Sequence, residues 1–227
     1  LSDVNLELRG GEITGVFGLK GSGRSELAYA LWGSPGFREG SVTLDGRPLN
    51  LERPGHAMRA GIGFVPEDRK SEGLALEQPI RENFLLAKRV LAGWLGGPDP
   101  AGARNTQAIF DRVAFVPADP EAPASSLSGG NQQKVVLSKW LLADAQVLIL
   151  AEPTRGVDVG AKAAIYGLLR KLADEGRAIL VLSSELPEVL GISDRVLVMR
   201  DGTLVAEFPP DAAEAEVLLE AGGKLHA

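Results

Sequence analysis

Short apolar runs alternate with longer segments of helical spacing along most of the chain. Glu12 to Gly18 reads as a strand, and Gly18 to Gly23 as a glycine-rich turn. Ser25 to Trp32 follows as a helix, with Leu27, Ala28 and Leu31 on one face. Ser41 to Leu44 reads as a strand entering a hairpin turn at Asp45-Gly46. Gly61 to Val65 is a further apolar strand. From Pro66 to about Leu142 the pattern turns helical, with helices expected over Glu82–Trp94, Gln107–Val113 and Asn131–Leu142 and a breaker cluster over Gly96–Ala103. Strands return at Val147–Leu150, Ala178–Leu182 and Val196–Met199. Asp201-Gly202 makes a turn, and Asp211 is expected to cap a last helix running through Glu220. This alternation predicts an α/β fold with a mainly parallel core. The expected core is 1–66 and 143–227, interrupted by a helical subdomain over 67–142, all in one domain of 227 residues.

Composition narrows the class. Hydrophobic content of 44% and charged content of 24% are ordinary for a globular protein. The formal net charge of -6 disfavours general nucleic-acid binding, which needs a basic face. The chain has no cysteine, so disulfides and thiolate metal sites are excluded. No apolar run reaches bilayer length; the nearest, Val90 to Leu95, is bounded by Arg89 and Gly96. The chain starts at Leu1 and its first methionine is Met58, so a piece cut from a longer polypeptide is expected.

Three segments carry chemistry. Gly18-Leu19-Lys20-Gly21-Ser22-Gly23-Arg24-Ser25 fits a phosphate-binding loop except that Arg24 stands where that pattern has lysine. Its glycines let backbone N–H groups turn toward an anion, and the following helix presents its positive end to the same anion. Ser25 is placed to offer its hydroxyl to Mg²⁺. Arginine keeps the charge but is bulkier and planar. Lys20 sits too early to replace it. Val147 to Leu150 ends in Ala151 and the acid Glu152, a candidate base or water-positioning group. Leu127-Ser128-Gly129-Gly130-Asn131-Gln132-Gln133-Lys134 places small residues before a helix. Taken singly, these read equally as a ligand-free strand-to-helix turn, a solvated acid and a loop before a helix.

With Leu127–Lys134 lying between the phosphate-type loop and the Val147–Glu152 strand, the three segments resemble the ATP-binding cassette family, and the resemblance covers almost the whole chain. It implies an ABC-type P-loop NTPase fold with an antiparallel β edge and an inserted helical subdomain. It implies ATP and Mg²⁺ as ligands, with Gly18, Gly21, Ser22, Gly23, Arg24 and Ser25 at the phosphates. Ser128, Gly129, Gly130 and Gln132 fall in the signature that closes on a partner's ATP, and Asp158 falls in the loop that touches the partner. Four positions depart from the family pattern: Arg24, Ala151 in place of the first strand-end acid, Glu67 in place of glutamine, and Ser184 in place of the switch histidine. The histidines, His56 and His226, read as surface residues. Together the departures predict a site that binds nucleotide and hydrolyses it poorly, since one lost electrostatic group typically costs ~10²–10³ in rate.

Val65-Pro66-Glu67-Asp68-Arg69-Lys70, Thr154 to Lys162 and Ser183-Ser184-Glu185-Leu186 narrow the resemblance to the second, C-terminal cassette of ribose/galactose/xylose-type importers. Arg24 and Ser184 are expected for that branch; Ala151 is not. The start at Leu1 omits the aromatic residue that stacks on adenine in the family. The implied partners are the N-terminal cassette of the same polypeptide, a transmembrane permease and, indirectly, a periplasmic or surface sugar-binding protein, which places the chain on the cytoplasmic face of the membrane. Two other readings remain: a catalytically silent regulatory domain, and a chromosome-maintenance ATPase, which would need a long coiled coil that is missing between loop and signature. The basic residues Arg69, Lys70, Arg81, Lys88 and Arg89 suit either a membrane-subunit contact or a solvated helix face.

Overall fold

The structure, a computed structural model, describes residues 1–36, 39–93, 107–115, 117 and 119–223. The expected breaker cluster at 96–103, the expected helix end at Trp94 and the chain's second histidine, His226, lie outside the described residues. The chain divides into two compact units, one of Leu1–Phe64, Gln146–Pro153 and Leu169–Ala227, the other of Val65–Ala145 and Thr154–Leu168. The second unit thus takes 154–168 in addition to the span expected from the helical pattern.

The first unit is built on a six-stranded sheet. Its strands are β1 (Ile13–Phe17), β4 (Ile62–Val65), β5 (Val147–Ala151), β6 (Ala178–Ser183), β7 (Arg195–Arg200) and β8 (Thr203–Phe208), in the order β4-β5-β6-β1-β7-β8. β1 runs parallel to both β6 and β7, with Val16 opposite Leu182 and Leu197. Strands buried on both faces read as continuous apolar runs, and β1, β4 and β6 are buried at every position. The edge strand β8 pairs antiparallel with β7. The turn between them holds Asp201 and Gly202 at positive φ, 50° and 79°, as a two-residue hairpin turn requires. A smaller hairpin joins β2 (Val42–Leu44) to β3 (Arg47–Leu49).

Helix α1 (Arg24–Trp32) packs on β5 and β6. A short α2 (Pro54–Arg59) starts on a proline at its first position, where the missing N–H costs nothing. Helices α7 (Leu186–Ile192) and α8 (Glu214–Gly222) bury Leu186, Val189, Val217 and Ala221 against Phe17, Val196 and Val198. Asp211 does not cap α8: the cap position is Ala213, and Asp211 lies in a turn closed by Ala212 N–H donating to the Pro209 carbonyl. The proline pair at 209–210 sets that turn, which delays the helix.

The second unit is helical. It holds α3 (Ile80–Ala92), α4 (residues 107–112), α5 (Gly129–Leu142) and the first part of α6 (Val159–Asp174). A π-helical turn spans Arg69–Gly73. Phe84, fully buried on α3, meets Phe110 edge-on at 4.5 Å and Phe115 at 6.2 Å between ring centres. Asn83, also buried, accepts from Ala75 N–H at 2.8 Å and donates to the Ala75 carbonyl at 3.0 Å, closing the loop before α3. Lys139, 6% exposed on α5, donates to the Gly73 carbonyl at 2.7 Å. Burial pushes its ammonium down from 10.5 to about 8.

Candidate functional site

In the first unit, residues 18–25 leave β1 and turn into α1. Ser22 N–H donates to the Leu19 carbonyl at 3.0 Å, and the Ser22 carbonyl accepts from Gly202 N–H at 2.8 Å, which ties the loop to the β7–β8 turn. Gly23 is the N-cap of α1 at φ 102°; a Cβ there would meet Gly202 Cα at 2.9 Å, so glycine is required on both counts. It has no side chain to cap the first turn, whose positive end favours an anion. Ser22 Oγ and Arg24 Nε are buried without a hydrogen-bond partner among the described residues, and both fit phosphate oxygens. Ser25, partly exposed in the first turn, lines an open surface depression with Leu1, Glu26, Tyr29 and Ser34.

Arg24 Nη1 donates to Glu152 Oε1 at 2.7 Å, with side chains only 9% and 11% exposed. Glu152 follows β5 in a left-handed conformation, φ 49°, while its N–H still donates to the Leu182 carbonyl at 2.8 Å. A non-glycine residue held there costs energy and marks a position the surroundings over-determine. Oε1 also accepts from Ser184 N–H at 2.9 Å. Of the expected switch residue, then, the backbone amide reaches Glu152, and the residue as a whole is exposed. The Ser183 hydroxyl lies 3.4 Å from Glu152 Oε2 and is also bonded to Glu188, a carboxylate 5% exposed on α7. Ser183 and Glu188 escaped the sequence reading because a strand-end serine and a helix glutamate carry no spacing signal; only the fold brings them to Glu152. Ala151, 3% exposed, presents no oxygen to a metal. The buried donors here, Ser22 Oγ and Arg24 Nε, therefore fit a nucleotide's phosphates, and the Ser25 hydroxyl is of the kind that Mg²⁺ takes.

In the second unit, Ser128 is the N-cap of α5, its Oγ accepting from Asn131 N–H at 3.4 Å. The helix begins at Gly129, two residues earlier than its apolar spacing predicts, because both glycines fall in its first turn. A Cβ on Gly130 would come within 2.6 Å of Ala161 Cβ at the start of α6. Asp158 caps that start, accepting from Ala161 N–H at 2.9 Å. Gln132 is 4% exposed and turns inward, donating to the Ala124 carbonyl at 3.4 Å. Glu67 is paired with Arg155 at 2.5 Å, so its carboxylate has a cation of its own.

A mainly parallel sheet with a glycine-rich turn between β1 and α1, and an acid after β5, the next strand but one, defines a P-loop NTPase fold. The profile of the ABC transporter family matches residues 1–155, and the chain belongs to that family. A putative ribose/galactose/methyl galactoside import ATP-binding protein of Rhizobium meliloti is 49% identical over 218 residues, covering 96% of this chain and 44% of the relative. The xylose import ATP-binding protein XylG of Geobacillus kaustophilus is 45% identical over 228 residues, covering 99% of this chain and 45% of the relative. The chain thus spans less than half the length of these relatives. A nucleotide-free ATP-binding cassette from an ABC transporter superposes with a TM-score of 0.80 at 21% identity, over 97% of this chain and 88% of that one. That likeness concerns the fold.

Proposed function

We propose that this chain is the C-terminal ATP-binding cassette of a monosaccharide importer, working as an ATPase module within a membrane complex. Its relatives' names, ribose, galactose and xylose import ATP-binding proteins, support the cargo class. Its partners are then the N-terminal cassette of the same polypeptide, a transmembrane permease and, through the permease, a sugar-binding protein outside the membrane. No helix among the described residues is long and apolar enough to cross a membrane.

Within the module the two candidate sites take different roles. Gly18, Gly21, Ser22, Gly23, Arg24 and Ser25 hold the nucleotide phosphates, with Ser25 reaching Mg²⁺. Glu152 orients water, and the Ser184 amide and Ser183 hydroxyl hold Glu152. Glu67 sits after β4 in the family's glutamine position, and Asp158 in the partner-facing loop. This nucleotide site turns over slowly. The carrying observation is the Arg24–Glu152 ion pair at 2.7 Å, which ties the phosphate-neutralising cation to the water-positioning acid beside an alanine that offers the metal nothing. Ser128, Gly129 and Gly130 close instead on ATP held by the partner cassette, with the positive end of α5 toward its phosphate.

The test is steady-state ATP hydrolysis by the pure chain beside ADP binding by calorimetry. The reading expects measurable ADP binding with turnover far below the ~1–10 s⁻¹ of ordinary enzymes. Turnover in that range refutes a degenerate site. ADP binding with no contribution to transport in the assembled complex favours the second reading, a silent regulatory domain, which the same ion pair supports.

A further inference from the structure

Arg69 lies just after Glu67, where neither the phosphate loop nor the signature accounts for it. Its guanidinium is half-buried inside the second unit. Nη1 donates to the Arg155 carbonyl at 2.5 Å and Nη2 to the Gly156 carbonyl at 3.1 Å, while Nε points to Gln132 Oε1 at 3.4 Å on α5. One planar fork therefore grips two successive carbonyls of the loop before Asp158 and a residue in the first turns of the signature helix. The packing around it leaves no slack. A Cβ on Gly129 would meet Nη2 of Arg69 at 2.7 Å and the Gly156 carbonyl at 2.6 Å. Glu67 adds a parallel tie by pairing with the Arg155 side chain at 2.5 Å. Beyond the fork, Asp158 caps α6, and Gly130 sits against Ala161.

We propose that Arg69 is a positioning residue that locks the 155–158 loop to the Ser128–Gly130 turn, so that signature and loop meet the partner's nucleotide as one rigid surface. The claim rests on the reading that this turn serves the partner site. Lysine cannot do the same work: its single ammonium keeps the charge but cannot bond two carbonyls in fixed directions at once. Loss of the fork displaces groups that act at the moment of phosphoryl transfer, and small displacements of this kind cost roughly ten- to a hundredfold in rate. They leave the partner site's ATP affinity, set by its own phosphate loop, little changed.

The experiment measures kcat and KM for ATP in the assembled transporter carrying Arg69→Lys, Arg69→Ala or Gly130→Asp. Both Arg69 variants are expected to lower kcat by roughly tenfold or more, with KM within about twofold and ADP affinity of the isolated chain within about twofold. Arg69→Lys carries the test alone if Arg69→Ala fails to fold. Wild-type kcat in Arg69→Lys overturns the fork and leaves only a charge role. A parallel rise in KM overturns the positioning role. If Gly130→Asp keeps its rate, the reading beneath the proposal fails as well; if Gly130→Asp collapses while the Arg69 variants do not, the Arg69 inference alone fails.

Discussion

Replacing Glu152 by glutamine should tighten nucleotide binding to the isolated chain. A phosphate in the 18–25 loop competes with Glu152 for the Arg24 guanidinium, which is held at 2.7 Å between side chains about a tenth exposed. A charge-assisted hydrogen bond of this kind is worth about 1.5–3 kcal/mol, against about 0.5–1.5 for a neutral one. Glutamine keeps a hydrogen bond from the still-ionised guanidinium and can accept from Ser184 N–H, but it loses the carboxylate's own charge, so about 1–1.5 kcal/mol of competition disappears. The repulsion between a phosphate and the carboxylate disappears with it. ADP affinity should therefore rise about tenfold. ADP is the right probe because arrested hydrolysis, which also traps ATP, cannot contribute. The assay is calorimetric titration of the pure chain at pH 7 and low salt. Unchanged or weaker affinity in Glu152→Gln refutes the idea that the ion pair holds the site against nucleotide.

Three further outcomes are expected. Ala151→Asp adds an oxygen at the end of β5, so Mg²⁺-dependent ADP affinity should improve while turnover stays low; titrations with and without a chelator check it, and a fast ATPase contradicts it. Phe84→Ala removes a fully buried ring packed edge-on against Phe110 and should lower stability by about 3–5 kcal/mol, read from urea unfolding; a loss under about 1 kcal/mol contradicts the packing. Lys139 titrates at about 8 when folded against 10.5 when unfolded. The folded state thus binds fewer protons between those values, and stability should climb as pH rises from about 8 to 10.5, by about 3 kcal/mol at most. Lys139→Met should lose that slope, and an identical slope in wild type and variant rules out the buried ammonium as its source.

Strand positions were legible because β1, β5, β6 and β7 are apolar runs that stay buried whichever way they are read. Helices that open on punctuating residues were not. Pro54-Gly55 hides α2 and Pro187 hides α7, because both prolines occupy first-turn positions where the missing N–H costs nothing. The returning strand β8 was missed although its turn was seen, since a half-exposed edge strand lacks a clean alternation. At the site, residues on one segment were readable from spacing. The long-range contacts were not: Arg24 to Glu152 spans 128 positions and Arg69 to Gly156 spans 87, and no local pattern encodes them.

The central claim is that this chain's signature, more than its own phosphate loop, sustains the transport cycle. Sugar uptake in cells carrying Gly130→Asp or Arg24→Ala at equal expression tests it most directly. Gly130→Asp places a carboxylate against Ala161 and at the positive end of α5, where both bulk and charge oppose a phosphate. Arg24→Ala removes a cation from a site already short of catalytic groups. The account predicts that uptake collapses with the first change and falls modestly with the second; equal loss, or a greater loss with Arg24→Ala, contradicts it.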